Sequence, residues 1–234
     1  MEVLVTGASS GVGAAAAAAL SRPGRRLWLL ARRPDALAKT AAAVRAAGAE
    51  AEALPCDVAD PVAVERAFAA VGPRLDVLVN AAALPANDVP GTPPDEIARV
   101  VTVNLVGTML CAREAVSRMR AARSGTVVNL GSLCVRVKDN GASLYVATKL
   151  GVAGFTDSLR KEVAADGVRV VLLNPGQIAS GMVTETLAER RRMVEQEEML
   201  TSEEVAEAIR WCVELPERVV VTEMEIRPRA QSRL

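Results

Sequence analysis

The chain has 234 residues, half of them apolar, with 28 basic and 28 acidic side chains, so that its formal net charge is zero. This length fits one domain with a substantial core and is too short for two. A balanced charge gives no electrostatic reason to bind nucleic acid or an anionic membrane, and we expect neither partner. The strand-like run Val3–Val5 follows Met1 closely, and the early apolar run Ala14–Leu20 is too short to span a bilayer. We therefore expect a soluble, cytoplasmic protein without a signal peptide.

Residue types that are rare or missing narrow the chemistry. The sequence contains no histidine, which excludes Ser-His and Cys-His nucleophile systems and most catalytic zinc sites. Its four cysteines are scattered without a Cys-x-x-Cys pair, as is typical of thiols in a reducing compartment. We predict no metal site. Acid–base chemistry must then come from carboxylates, lysine, cysteine or the single tyrosine, Tyr145.

Short apolar runs alternate with alanine-rich helical stretches along the whole chain. The predicted strands are 2–6, 26–31, 50–55, 76–80, 125–131, 168–173 and 218–226, and the predicted helices are 11–21, 35–47, 61–71, 94–121, 143–165 and 202–214. Strands that are apolar almost throughout and alternate with crossover-length helices indicate a parallel sheet covered on both faces. With right-handed crossovers, this pattern predicts an α/β, Rossmann-type doubly wound fold with seven parallel strands, in one domain spanning 1–234.

Two segments break the alternation. Residues 83–93 are rich in turn-forming side chains, and residues 176–200 are rich in charge and methionine. Because open α/β sheets bind ligands beyond the carboxyl ends of their strands, we expect both segments beside a substrate. Residues 181–200 offer few large apolar anchors, and we predict that they form a mobile lid over the substrate. The alternative is a solvated helix packed permanently on the sheet.

The first strand leads into the glycine-rich run Thr6–Gly13, spaced Gly-x-x-x-Gly-x-Gly, and then into a helix. Glycines allow a tight turn and let backbone N–H groups approach a pyrophosphate, whose charge is stabilised at the helix N-terminus. A tight turn without a ligand is the alternative interpretation. The position between a strand and a helix favours phosphate binding.

The end of the second strand predicts which dinucleotide binds. NAD-binding folds usually place an acidic residue here for the ribose 2′-hydroxyl, whereas a 2′-phosphate requires a cation. The chain has Arg32 and Arg33 at this point, and the first carboxylate after them is Asp35. The planar guanidinium suits a phosphate monoester, so we predict NADP(H) as the cofactor. The alternative is a solvated pair of arginines that leads into a helix.

Tyr145 and Lys149 stand four residues apart on one face of the predicted helix 143–165. A phenol with a pKa near 10 is a poor proton donor or acceptor at neutral pH, and an ammonium one turn away favours the phenolate. The spacing therefore predicts a proton-transfer pair in which Lys149 lowers the pKa of Tyr145. An exposed pair that only stabilises the helix is the alternative, which the lack of histidine weakens.

With these motifs the chain resembles the single-domain branch of the short-chain dehydrogenase/reductase family over nearly its whole length. The family's Thr-Gly-x-x-x-Gly-x-Gly motif corresponds to Thr6–Gly13, its Tyr-x-x-x-Lys motif to Tyr145 and Lys149, and its catalytic serine and helix asparagine to Ser132 and Asn104. The resemblance implies that Tyr145 exchanges a proton with a carbonyl oxygen and that Ser132 hydrogen-bonds the same oxygen. It also implies that Lys149 holds the nicotinamide ribose, and that Asn104 anchors a water that relays protons to Lys149.

Together, the motifs and the resemblance imply a set of cofactor contacts along the carboxyl edge of the sheet: Gly7, Ser9, Ser10, Gly11, Val12, Gly13, Arg32, Arg33, Asp57, Val58, Asn80, Ala81, Ala82, Tyr145, Lys149, Pro175, Gly176, Ile178 and Ser180. Two stretches depart from the family's pattern. Residues 80–83 read Asn-Ala-Ala-Ala where Asn-Asn-Ala-Gly is usual. The ending Glu225–Gln231 replaces the usual Asp-Gly-Gly and resembles the branch of serine and 3-hydroxy-acid dehydrogenases and some antibiotic-pathway aldehyde reductases.

The expected reaction is the reversible, NADPH-dependent reduction of a ketone or aldehyde to an alcohol by direct hydride transfer. The expected partners are a small-molecule carbonyl or alcohol substrate and further copies of the chain, as a tetramer or dimer. One alternative is a catalytically silent NADP(H)-binding sensor or scaffold, which would be expected to lose tetrad residues. Another is a nucleotide-sugar epimerase or dehydratase, which needs more chain after Ser180 for a substrate domain. The run Arg190–Arg192 is interleaved with glutamates and is interpreted as a solvated helix rather than as a site for an acidic substrate.

Overall fold

The computed structural model describes residues 1–86, 89–137 and 143–231. Seven strands form a single parallel sheet in the order β3-β2-β1-β4-β5-β6-β7. The strands are β1 (Glu2–Thr6), β2 (Arg26–Ala31), β3 (Glu50–Pro55), β4 (Val77–Asn80), β5 (Gly125–Leu130), β6 (Val168–Pro175) and β7 (Glu223–Ile226). The predicted Rossmann-type fold is thereby confirmed.

Helices cover both faces of this sheet. They are α1 (Gly11–Ala19), α2 (Pro34–Ala46), α3 (Pro61–Val71), α4 (Pro94–Val101), α5 (Gly107–Ala122), α6 (Ser143–Val163), α7 (Leu187–Glu195) and α8 (Ser202–Glu214). Alternate residues of β1 belong to different cores, because Val3 and Val5 pack with α1, α2 and α8 while Leu4 packs with α3, α5 and α6. The central strands are apolar on both faces because both faces are buried.

Three predicted segments differ clearly from the structure, while the ends of the other predicted helices and strands agree within two residues. The helix predicted over 94–121 is divided by a π-helical turn, Thr102–Val106, between α4 and α5. The strand predicted over 218–226 begins only at Glu223, because the preceding residues form a turn in which Val219 N–H bonds to the Pro216 oxygen. The predicted loop 83–93 contains a short 3-10 turn, Val89–Gly91, and its residues 87–88 lie outside the described residues.

The stretch Pro94–Ala122 is long and apolar enough to cross a membrane by length and composition. Half of its most apolar window is buried inside the protein, where residues such as Cys111, Ala115 and Met119 pack against the sheet. A core helix of a globular protein can also be long and apolar enough to meet this criterion, because its apolar residues are buried inside the protein. The expectations of no membrane partner and of a cytoplasmic location stay predictions.

The doubly wound order determines where a ligand fits. The chain starts in the middle of the sheet at β1, runs out to β3, returns to β4 and continues to β7 on the other side. A crevice opens where the direction reverses, beyond the carboxyl ends of β1 and β4. Six of the predicted motifs follow strand ends at this edge, at Gly7, Arg32, Asp57, Ala81, Ser132 and Gly176.

Candidate active site

The glycine-rich turn after β1 lies directly against the end of β4. A Cβ atom on Gly7 would come within 2.9 Å of the main chain of Ala81 and Ala82, and one on Gly13 would come within 2.4 Å of the Gly7 oxygen. Gly7 also has a φ of +67°, in the left-handed region that favours glycine. The Thr6 hydroxyl accepts hydrogen bonds from the N–H groups of Ala81 and Ala82, both at 3.1 Å. These contacts fix the turn where backbone N–H groups can approach a phosphate.

A cleft of about 520 Å³ follows the carboxyl edge of the sheet from the two arginines to Ser132 and Tyr145. Every predicted cofactor contact except Asn80 lines this cleft. Its volume lies in the range of ligand sites, and it combines a glycine-rich turn, a helix N-terminus and cationic side chains. The residues present therefore fit a dinucleotide.

The arginine end of the cleft carries several hydrogen-bond donors close together. One Nη of Arg33 lies 3.3 Å from the hydroxyl oxygens of both Ser9 and Ser10, and Arg32 lines the same wall. Guanidinium and hydroxyl groups at this spacing offer both charge and hydrogen bonds to a phosphate monoester. This arrangement fits the cation-rich environment that the sequence predicted for a ribose 2′-phosphate.

Asp57 faces the cleft between the arginine end and the glycine-rich turn. Its carboxylate pairs with Arg99 of α4 at 2.6 Å and accepts a hydrogen bond from the Ala59 N–H at 3.0 Å. Burial alone would raise the pKa of Asp57, but the bonds from Ala59 and Arg99 outweigh burial and lower that pKa. Asp57 is therefore ionised and fixed in orientation at neutral pH.

At the other end of the cleft, Lys149 is buried under the reactive tyrosine. Its Nζ donates to the Leu130 main-chain oxygen at 2.7 Å and lies 5.6 Å from the centre of the Tyr145 ring. Burial lowers the pKa of Lys149 to about 8, because the ammonium has lost its water. The helical spacing thus places Lys149 next to Tyr145, as the sequence predicted.

The pKa of Tyr145 shifts in the opposite direction from the prediction. Burial raises it above its ordinary value of 10, and the nearby thiol of Cys134 adds to the rise, while a hydrogen bond with the Ser132 side chain opposes it. Burial dominates because a phenolate here would lose its hydration, while Lys149 directs a donor to the Leu130 oxygen and is itself less readily charged. Tyr145 is therefore a neutral phenol at physiological pH, which is the form that donates a proton.

Ser132 begins the short 3-10 turn Leu133–Val135 after β5. Its Oγ accepts a hydrogen bond from the Cys134 N–H at 3.2 Å, so that the hydroxyl hydrogen is available to point elsewhere. Ser132 and Tyr145 line the same cleft, and the Ser132 side chain is near enough to Tyr145 to lower its pKa. One oxygen atom of a substrate can therefore contact both.

Asn104 lies in the π-helical turn that divides the predicted helix. Such turns often occur at functional sites. Its side chain is buried and makes two bonds to one residue: the Leu84 N–H donates to Oδ1 at 2.7 Å, and Nδ2 donates to the Leu84 oxygen at 3.0 Å. Nδ2 also lies 3.4 Å from the Thr148 hydroxyl. Asn104 thus holds the loop after β4, while the water predicted at Asn104 stays a prediction.

Asn80 is the predicted cofactor contact that the structure places elsewhere. It is buried at the end of β4, and its Nδ2 donates to Asn129 Oδ1 at 2.9 Å and lies 3.3 Å from the Thr108 oxygen. The side chain points away from the cleft into a polar network between the sheet and α5. Asn80 is therefore not among the residues that line the cleft, where Ala81 lies instead, and its role as a cofactor contact stays a prediction.

The cleft also contains residues that sequence reasoning missed, namely Ala31, Cys56, Ala83, Leu84, Pro85, Val103, Leu130, Gly131, Gly181 and Met182. Most of them adjoin a predicted contact, so extending each motif by one residue would have found them. Leu84, Pro85 and Met182 belong to the two segments that the sequence placed beside a substrate. They give the reactive end an apolar wall.

Comparison with known proteins identifies the family. Residues 2–191 match the family model described as short chain dehydrogenase. The short-chain reductase protein NovJ from Streptomyces niveus is 38% identical over 191 residues, which cover 80% of this chain and 72% of NovJ. The chain belongs to the short-chain dehydrogenase/reductase family. It is therefore an oxidoreductase, and the family assignment made from its motifs is confirmed.

Solved members of the short-chain dehydrogenase/reductase family share this fold. A crystal structure of a variant actinorhodin polyketide ketoreductase with NADPH matches with a TM-score of 0.86 at 26% identity, over 99% of this chain and 97% of that one. A 3-oxoacyl-[acyl-carrier protein] reductase from Brucella melitensis with bound NAD matches with a TM-score of 0.84 at 28% identity, over 96% and 88% of the two chains. Neighbours of this fold thus bind NADP or NAD.

The segment 181–200 of this short-chain dehydrogenase/reductase contains α7, which was not among the predicted helices but agrees with the interpretation of Arg190–Arg192 as a solvated helix. Thr186 and Glu189 form a reciprocal capping box at its start, and none of its residues is buried. The base of the segment is fixed, since Ala179 N–H bonds to the Leu200 oxygen and Leu200 N–H to the Gln177 oxygen, both at 2.8 Å. The segment is thus a helix held at its base beside the substrate end of the cleft, an arrangement that suits a lid.

Proposed function

We propose that the protein reduces a ketone or aldehyde to an alcohol with NADPH, and that the reaction is reversible. The observation that carries this proposal is the convergence of Ser132, Tyr145 and Lys149 at one end of a dinucleotide-sized cleft with two arginines at its other end. A carbonyl oxygen placed between Ser132 and Tyr145 meets two hydroxyl donors. This is the arrangement that stabilises an oxygen as it becomes negative.

The reaction needs one hydride and one proton. When bound, NADPH supplies the hydride to the carbonyl carbon. Tyr145 donates its phenolic proton to the carbonyl oxygen, which leaves the alcohol and a phenolate that solvent reprotonates. Ser132 donates a hydrogen bond to the same oxygen and lowers the energy of its developing charge. Lys149 has three donors, one of which goes to Leu130, and the others serve to hold the nicotinamide ribose.

The proposed preference for NADPH over NADH rests on residues of this chain and not on membership of the family. Solved neighbours contain either cofactor, so membership does not decide between them. Arg32 and Arg33 follow β2, the strand whose end contacts the ribose 2′-position in dinucleotide-binding folds, and Arg33 approaches Ser9 and Ser10. A carboxylate, which would favour a free 2′-hydroxyl, does not occupy the end of β2. These contacts support NADP(H) as the cofactor.

The proposal is tested by supplying NADPH with a panel of ketones and aldehydes and following the absorbance of reduced nicotinamide. We expect Tyr145→Phe to lower kcat by about 10²- to 10⁴-fold, since only the proton donor is removed, with NADPH affinity unchanged. Ser158→Ala, which removes an exposed hydroxyl from the same helix as Tyr145, is the matched control. If Tyr145→Phe keeps a tenth of the activity, Tyr145 is not the acid. NADPH binding without turnover of any carbonyl would support a silent sensor instead.

A further inference from the structure

A chain of hydrogen bonds connects Ser132 to the protein surface through the side chains of Asn174, Glu223 and Arg136. Asn174, at the end of β6, is fully buried, and its Oδ1 accepts a bond from the Ser132 N–H at 3.1 Å. Its Nδ2 donates to Oε1 of Glu223, on β7, at 2.7 Å. The other carboxylate oxygen of Glu223 accepts a bond from Arg136 at 2.7 Å. In the register of β6 against β7, Glu223 is opposite Leu172 and Asn174 is opposite Glu225, so the Asn174–Glu223 bond runs diagonally between the two strands.

The chemistry of these groups permits only one orientation of the Asn174 amide. An ionised carboxylate only accepts hydrogen bonds, so Glu223 must face the NH₂ end of the amide. The oxygen of Asn174 is thereby directed to the Ser132 N–H. Arg136 only donates, and its bond to the second carboxylate oxygen holds Glu223 in place. Each member of the chain therefore determines the orientation of the next.

Gly131 leaves the space that this arrangement needs. A Cβ atom on Gly131 would lie 1.9 Å from Asn174 Oδ1, which is too close for any side chain at that position. The backbone of Gly131 does not require glycine for its conformation, since its φ is not among the positive values. The close approach of the Asn174 amide thus accounts for the glycine that precedes Ser132.

We propose that Asn174, oriented by Glu223, is a positioning residue for Ser132, an inference that rests on the proposed function of Ser132. Two bonds then hold the serine: Asn174 fixes its main-chain N–H, and the Cys134 N–H occupies one lone pair of its Oγ. The hydroxyl hydrogen is left to point at the substrate oxygen. A displacement of about 1 Å at a reacting group can lower the rate about 100-fold. The two bonds that fix Ser132 therefore help to maintain the rate of the reaction.

The first test compares variants along the chain. We expect Asn174→Ala to lower kcat by about 10- to 100-fold while NADPH affinity and the carbonyl KM change little, because the serine is displaced but the binding surfaces remain. Glu223→Leu removes the group that orients Asn174 and should lower kcat in the same way. Glu223→Gln keeps an acceptor for Asn174 Nδ2, so this variant should retain most of the wild-type activity. Glu50→Leu, on the edge strand β3 at the opposite side of the sheet and bonded to Arg26, is the matched control.

A double-mutant cycle shows whether Asn174 acts through Ser132. In a Ser132→Ala background there is no hydroxyl to position, so adding Asn174→Ala should change kcat less than about twofold. An equal loss in both backgrounds would overturn the inference, as would a Glu223→Leu variant no slower than Glu50→Leu. If Asn174→Ala fails to fold, Glu223→Leu completes the same cycle. A fully active Ser132→Ala enzyme would instead refute the proposed function, whereas an inactive Ser132→Ala enzyme with active Asn174→Ala refutes this inference alone.

Discussion

Arg190 of α7 donates a hydrogen bond of 2.6 Å to the main-chain oxygen of Ser180, at the substrate end of the cleft. The same guanidinium has a buried Nε with no hydrogen-bond partner among the described residues. An unsatisfied buried donor costs about 1–3 kcal/mol, which offsets the stabilisation from the bond to the Ser180 oxygen. The contact of Arg190 with Ser180 therefore holds α7 weakly. Arg190 therefore connects α7 to the edge of the cleft by a bond that can break and form again.

We expect Arg190→Met to loosen α7 and to raise the carbonyl KM several-fold, because the segment 181–198 would spend more time open. Hydrogen exchange of its amides should be faster in this variant than in the wild type, and slower with NADPH and a substrate analogue. Arg191→Met on the same helix is the control. If amides 181–200 of the free wild-type protein are as protected as those of the strands, the lid hypothesis is wrong.

Arg33→Ala is expected to lower the specificity constant for NADPH by about 10- to 100-fold, since a charge-assisted hydrogen bond to a phosphate is worth about 1.5–3 kcal/mol. The constant for NADH should stay within about threefold, because NADH lacks the 2′-phosphate, and this serves as the internal control. Steady-state kinetics with both cofactors measure the two constants. Equal specificity constants in the wild type would contradict the assignment of the two arginines.

The buried lysine makes stability depend on pH. The pKa of Lys149 is about 8 in the folded protein and about 10.5 when unfolded, so between these values the unfolded state binds more protons. The contribution of Lys149 to the free energy of unfolding therefore rises as pH increases through this window, and its burial costs most below pH 8. We expect the wild type to gain stability relative to Lys149→Met from about pH 8 to about pH 10.5, as measured by urea unfolding. A difference that does not change with pH would refute the lowered pKa.

The outer faces of α5 and α6 carry the surface that we expect to join copies of the chain. Met109 and Phe155 line a groove between these helices, and Leu150 of α6 is 39% exposed. Burying such a face favours self-association, and we expect a tetramer of the 24.6 kDa chain. Leu150→Glu should shift light scattering toward smaller species, while Leu187→Glu on α7 should not. A wild type that remains monomeric at micromolar concentration would rule out the assembly.

The sequence predicted the fold and the site best where a local pattern of residues itself determines the structure. The apolar runs predicted the central strands because both faces of the sheet are buried there. The spacing of Tyr145 and Lys149 predicted that the two side chains are neighbours because a helix brings residues i and i+4 together. The π-helical turn was missed because the apolar pattern of 94–121 continues through it without proline. The β-branched run Val219–Val221 predicted too long a strand, since tertiary contacts override propensity there.

The contacts that sequence reasoning did not find are those made between distant parts of the chain. Asn174 and Glu223 are 49 residues apart, and only the pairing of β6 with β7 brings them together. The two-way bond between Asn104 and Leu84 depends on how the loop after β4 folds back onto α4 and α5. The pKa of Tyr145 depends on how deeply the helix is buried, a quantity that residue spacing does not contain.

The position of Glu223 has a consequence for how this enzyme responds to heat. β7 has four residues and forms the edge of the sheet, where strands fray before the interior unfolds. Fraying of β7 withdraws the carboxylate that orients Asn174, while the central strands and the cofactor cleft remain intact. On warming, catalytic turnover should therefore fail several degrees before the helical circular dichroism signal is lost. Cooling from that interval should restore full activity without any refolding lag.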